Sequence, residues 1–299
     1  MAIILGLLTA VCFGSGDFFG GLSTKRTSVL NVVAFSHLVG LFSVILITPF
    51  IADAFAWRDV GIGALAGILG GVGVVGLYRG LATGPMAVVA PLTAVASAAF
   101  PAIWGTLSGD SLTGLAWLGI FVALIAIALS SLPGEGAGGS AATVTVRTIV
   151  ESLAAGVGFG AMFILFDLTT DDVAPWPVVG ARATTSTALL IYLFAKASAE
   201  RSTAGGDSTA GGDSTTEILT SVRPALGLIV LTGLFDTGSN VMFLIATTLG
   251  DLTVVAVLSS LYPVSTVILA RVVLNEHMSK SQLAGLSLAL VATVMIALG

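Results

Sequence analysis

The feature that most restricts this chain is a succession of apolar runs, each about as long as a helix that crosses a lipid bilayer. In hydrocarbon every backbone N–H and C=O must be bonded within its own segment, so a spanning helix needs about 20 mostly apolar residues. Reading the runs between polar or turn-rich breaks predicts ten spans: 2–21, 29–51, 60–82, 86–107, 112–132, 148–168, 175–197, 224–248, 252–273 and 280–298. Some breaks are very short, among them Thr83-Gly84-Pro85 and Gly250-Asp251, which forces the flanking helices to be antiparallel neighbours. Composition agrees. Hydrophobic residues make up 56% and charged ones only 9% of 299, where a soluble domain carries about 25% charged residues. Mean hydropathy is +1.07. Too few polar side chains are present to cover a water-facing surface, which excludes a soluble enzyme and a disordered scaffold. With Lys+Arg at 11 and Asp+Glu at 16, there is no basic stripe for nucleic-acid phosphates. A single cysteine, Cys12, excludes an internal disulfide and a cysteine-based zinc cage. The opening Met1-Ala2-Ile3-Ile4-Leu5 has no basic flank or cleavage site and reads as the first span rather than a leader. The expectation is an all-α integral membrane protein with ten transmembrane helices, no cofactor and no metal.

Internal repetition divides the chain. Residues 84–119 align without gaps on 250–285: Gly84 on Gly250, Val88-Val89-Ala90 on Val254-Val255-Ala256, Leu92 on Leu258, Asp110 on Glu276 and Gly119 on Gly285. Earlier in the halves, Leu7, Val11 and Phe13-Gly14 match Leu153, Val157 and Phe159-Gly160, and Val32-Val33 matches Val178-Val179. The first offset is 166 and the second 146, so an insertion of 20 residues falls between the seventh and eighth spans, where the polar tandem repeat Ser-Thr-Ala-Gly-Gly-Asp occupies 202–216. The expected division is a first five-helix repeat at 1–132, a flexible Gly-rich connector at 133–146, and a second repeat at 147–299. The loop 202–216 reads as low-complexity and solvated. Five spans is an odd number, so the second half enters the membrane inverted, a recurrent design of alternating-access carriers.

Ionisable groups inside spans cost roughly 2.5–3.5 kcal/mol each on insertion scales and are functional candidates for that reason. Asp236 lies deepest, with Ser239 and Asn240 on its face of the eighth span; Arg182 and His37 stand about two turns into the seventh and second spans, and Asp17 a turn from the end of the first. None recurs in the other half: Asp236 aligns with Gly70, Arg182 with Ser36, His37 with Ala183 and Asp17 with Phe163. Such asymmetry suits one solute site at the repeat interface, and equally a self-neutralising Asp236–Arg182 pair. A carboxylate in a low-dielectric cavity has its charged form disfavoured, which makes Asp236 a candidate for proton exchange. Tyr262, beside Pro263, and Trp104 are further cavity candidates. Pro91, Pro101 and Pro263 are expected to interrupt helical hydrogen bonds. Asp110 and Glu276, at corresponding turns, read as helix caps. Gly71-Val72-Gly73-Val74-Val75-Gly76 fits the dinucleotide pattern, but it lies inside an apolar span with no acid about 20 residues on. Its glycines, with Gly63 and Gly67, read as a close-packing helix face.

The run Tyr78-Arg79-Gly80-Leu81-Ala82-Thr83-Gly84-Pro85-Met86-Ala87-Val88-Val89-Ala90-Pro91 resembles the junction of the third and fourth helices in EamA-type members of the drug/metabolite transporter superfamily. Leu258-Ser259-Ser260-Leu261-Tyr262-Pro263 with Ala270-Arg271 and Asn275-Glu276, and the opening Phe13-Gly14-Ser15-Gly16-Asp17-Phe18-Phe19-Gly20-Gly21, are similar to it as well. The resemblance implies a five-plus-five carrier in the cell membrane with a central cavity. Its implied partners are a small organic metabolite or drug and the lipid bilayer, with no nucleic acid, in a monomer or weak homodimer. Small multidrug relatives use an intramembrane glutamate in their first helix, where this chain has Asp17 near the helix end. The resemblance places both termini in the cytoplasm. The charges do not: Lys25, Arg26, Arg79, Arg147, Lys196, Arg201, Arg223, Arg271 and Lys280 follow odd-numbered spans and only Arg58 follows an even one, which by the positive-inside rule puts the termini outside. Two rival readings stand beside the carrier: a membrane-embedded enzyme, for which no acid, base or metal cluster is visible, and a non-transporting partner subunit that docks through 202–216.

Overall fold

The structure, a computed structural model, describes residues 1–107, 113–130, 144–203, 214–249, 255, 258–259, 261–275 and 279–298. Asp110, Glu276, most of the connector 133–146 and residues 204–213 of the tandem repeat lie outside the described residues. Helix accounts for 89% of the described residues, and no strand occurs among them. The principal helices are α1 (Ala2–Ser23), α2 (Val29–Ile51), α3 (Trp57–Thr83), α4 (Met86–Leu107), α5 (Gly114–Ser130), α6 (Val146–Asp167), α7 (Trp176–Thr203), α8 (Ser214–Val222), α9 (Leu226–Thr248), α10 (Tyr262–Leu274) and α11 (Lys280–Ala297). Six apolar stretches are long enough to cross a membrane by length and composition: 2–23, 29–51, 57–83, 146–166, 176–199 and 218–246. Shorter apolar helical stretches of 10–17 residues lie at Val88–Ser97, Gly114–Ala123, Tyr262–Leu274 and Leu283–Met295.

Local chemistry sets the helix ends. Ser28 accepts from the Asn31 amide at 3.2 Å to start α2, and Thr145 accepts from the Thr148 amide at 3.1 Å to start α6, each satisfying a donor that has no intrahelical partner. Asn275 closes α10 in the left-handed region, φ 52°. Pro263 stands in the first turn of α10, where a missing N–H costs nothing. Helical residues 258–259 precede it and a turn at Leu261 separates them from α10, so the predicted span 252–273 is broken beside Pro263. Pro91 does sit inside α4, and Pro49, which the sequence reading passed over, inside α2. Helix α7 runs to Thr203, past the expected end at 197, and α8 precedes the eighth predicted span.

Helix α1 packs against α9 and α10, and α3 against α6 and α7. Helix α2 touches α7 and α9, α4 touches α6, α10 and α11, and α5 lies along α11. The outside of the bundle is greasy: Phe42, Leu46 and Phe50 form a stripe four residues apart on α2 and are 68%, 72% and 85% exposed. Polar groups are buried instead, including Asp59, His37, Arg182 and Asn240. That inversion is what a hydrocarbon solvent selects.

Small residues let the helices close. A methyl carbon added at Gly63 would strike the Pro177 backbone and one at Gly67 the Ala181 backbone, so α3 and α7 meet main chain to main chain. Gly70, Gly73 and Gly76 face Met162 and Ala155 of α6 instead. The dinucleotide-like glycines are thus a packing surface on two sides of α3. Gly67→Leu should lower stability by about 1–3 kcal/mol through overpacking, read as a drop in thermal midpoint in detergent. Gly61→Leu, at a position with open space around it, is the matched control. Equal melting of the two variants would show that α3 and α7 do not touch as described.

Candidate functional site

Five helices bring one group of polar side chains together. Asp236 on α9 meets Arg182 on α7, with Nη2 to Oδ2 at 2.8 Å. The same guanidinium donates to the Asp236 main-chain oxygen at 3.3 Å, so one arginine holds both the side chain and the backbone of that turn. Arg182 Nη1 lies 3.0 Å from His37 Nε2 on α2. An arginine can only donate, so Nε2 is the acceptor, the imidazole is neutral, and its proton is on Nδ1; this tautomer is assigned from the bonding. The 3.6 Å approach of Nε2 to Asp236 Oδ2 is then a contact, not an ion pair. His37 Nδ1 and Arg182 Nε are buried with no partner among the described residues.

Asn240 and Ser239 share the face of Asp236, as the sequence indicates, but their donors turn back onto their own helix. Asn240 Nδ2 and Ser239 Oγ both reach the Asp236 carbonyl at 2.7 Å, local bonds that these residue types favour. With Arg182 they give that carbonyl three donors and hold the turn rigid.

Asp17 on α1 comes close enough to Asp236 to interact electrostatically, and Gly16 makes the approach possible: a methyl carbon there would sit 3.2 Å from the Asp236 amide nitrogen. No hydrogen bond or ion pair to Asp17 occurs among the described residues. Tyr262 opens α10 beside α1. Its ring centroid is 6.3 Å from Phe13, and Thr266 one turn on donates to the Gly14 carbonyl at 3.0 Å. The Tyr262 hydroxyl approaches Ser97 of α4 without hydrogen-bond geometry and is otherwise unpartnered and buried. It lies in electrostatic reach of Asp17 rather than directly against Asp236. Trp104 is not brought to this group; it stands 54% exposed on α4.

Tyr78 belongs to the site and was missed by the sequence reading. It is 1% exposed on α3 and wedged against Gly20, and it interacts electrostatically with Asp236, Asp17 and Arg182. A tyrosine beside an arginine at a helix end looks like an interfacial anchor in sequence, so nothing local marked it as interior. With Asp236 paired to Arg182 and His37 accepting from the same guanidinium, Asp17 is the carboxylate of this group left without an ion-pair partner among the described residues.

An apolar exterior around buried polar groups defines the class: a multi-pass membrane protein. The model of the EamA-like transporter family matches residues 147–298, and the chain belongs to that family. A crystal structure described only as that of a protein shares the fold, with a TM-score of 0.52 at 15% identity over 99% of this chain and 96% of that one. No curated protein matches. Family membership brings a lipid environment and small-molecule substrates; the family is one of transporters, not enzymes.

Proposed function

We propose that this protein is a secondary transporter that exports a small organic metabolite or drug by alternating access across the cell membrane. In this reading ten helices cross the bilayer as two inverted repeats, 1–132 and 147–299. The packing supports it. Exchanging each of the first five spanning helices with its counterpart in the second five turns the α1–α9 contact into α6–α3, and the α1–α10 contact into α6–α4, and both partners of each pair occur.

The observation that carries the reading is the excess of carboxylates over cations: Asp17 and Asp236 share the single cation Arg182, and the three come from both halves of the chain. The carboxylate that Arg182 does not neutralise is stable in such a site only with a proton or another cation. A proton and a cationic group on the solute serve equally, and two ligands competing for one charge are exchanged rather than carried together. Proton-coupled export follows, with Asp236 and Asp17 as the carboxylates, Arg182 and His37 as their fixed neighbours and Tyr262 beside the path. Uptake screens in vesicles of both orientations, against amino acids, polyamines and aromatic cations, test substrate class and direction together. Absence of flux for every cation, with flux for a neutral or anionic solute, would sink the charge argument.

The rival reading is a non-transporting partner that docks through the tandem repeat. Deleting residues 204–213 should leave flux unchanged; loss of effect without loss of folding would favour docking. On the family likeness we place both termini in the cytoplasm, against the arginine distribution. A C-terminal green fluorescent protein should then fluoresce and a C-terminal alkaline phosphatase should be inactive, and the opposite pair of results would invert the assignment.

A further inference from the structure

Away from the central charges, a cleft of about 380 Å³ opens where the C-terminal end of α3 meets the N-terminal end of α6. Arg79, Thr83, Arg147, Thr148 and Glu151 line it, together with the apolar Val29. Two guanidiniums converge on one carboxylate oxygen there: Arg147 Nε at 3.0 Å and Arg79 Nη2 at 3.4 Å from Glu151 Oε1. One carboxylate cannot saturate two forks of five donors each. The remaining N–H groups of both arginines find no partner among the described residues, and their side chains are 47% and 70% exposed. The cleft therefore carries one surplus positive charge with its donors free. Its surroundings add to that. Thr24, which caps the C-terminal end of α1, donates to the Tyr78 carbonyl at 3.4 Å, and Arg26 reaches the Pro224 carbonyl at 3.3 Å, so Lys25, Arg26 and Arg223 stand at this same end of the bundle.

We propose that this cleft binds a phosphate group, with Arg79 and Arg147 as paired donors and Glu151 as the competing anion that limits affinity. Phosphate suits the site because its several oxygens can take two forks at once. The volume exceeds what one ion needs, since a water occupies about 30 Å³ in the liquid, and Val29 offers contact to a carbon-bearing substituent. A phospholipid headgroup at the helix ends and a free phosphate present the same chemistry.

The test is titration of the full chain in nonionic detergent with inorganic phosphate and with dihexanoyl phosphatidylglycerol, read by calorimetry, with dihexanoyl phosphatidylcholine as the zwitterionic comparison. Arg79→Gln with Arg147→Gln should weaken binding at least tenfold. Glu151→Gln, which removes a charge and leaves the forks intact, should tighten it at least threefold and keeps the proposal testable should the double variant not fold. Binding of both anionic probes assigns the site to phosphate as such, and binding of the phosphatidylglycerol alone assigns it to the lipid headgroup. No binding of either, or Glu151→Gln binding no more tightly than the parent, overturns the proposal.

Discussion

Asp236→Asn should reduce proton-coupled flux at least about tenfold, a loss of about 1.4 kcal/mol of coupling, while the protein stays folded. The change keeps the shape of the side chain and removes its carboxylate, so Asp17 and Arg182 remain as one carboxylate and one cation. Arg182 can then neutralise the remaining carboxylate, which no longer needs a proton or a solute cation. Folding should survive because Arg182 keeps its bond to the Asp236 main-chain oxygen at 3.3 Å and its contact with His37 at 3.0 Å, with Asp17 remaining as counter-charge. The measurement is solute-driven proton movement in proteoliposomes, followed with an internal pH dye, beside a melting curve. Undiminished coupled flux in a folded variant would show that Asp236 only neutralises Arg182.

Removal of the cation has the larger structural effect. Arg182→Met leaves two interacting carboxylates, Asp17 and Asp236, with no positive partner in the cluster. Breaking a buried pair from one side costs about 3–5 kcal/mol, because the remaining charge stays desolvated without compensation. The variant should show a large fall in thermal midpoint. Arg182→Met combined with Asp236→Asn should recover more than half of that fall, since the stranded charge goes with it. Additive effects in the double-mutant cycle would mean that the 2.8 Å pair contributes no coupling to stability.

Which helices form was legible in the chain. The apolar runs place α1, α2, α3, α4, α6 and α9 within a few residues of their expected bounds, because in hydrocarbon the backbone has no alternative to helix. Caps such as Ser28 act over three residues and are readable for the same reason. Helix α8 and the extension of α7 were not legible: polar residues at a helix end satisfy their backbone equally well in a loop against water.

The candidate site divides along the same line. That Asp17, His37, Arg182 and Asp236 are costly groups was readable one residue at a time, since each charge or imidazole in an apolar span has a known cost. Which of them meet was not. Arg182 and His37 are 145 residues apart, and their contact depends on α2 packing against both α7 and α9. Tyr262 reaches Asp17 rather than Asp236 because the main chain of α1 at Gly14 lies directly against α10, a close approach decided by which small residues face each other. The sequence by itself determined the solvent, the helices and the inventory of costly groups, all of which depend on local composition. Only the tertiary structure decided the partners, including Tyr78 pressed into the interior by Gly20 and the two arginines gathered on Glu151, because contact between distant residues is set by how whole helices pack.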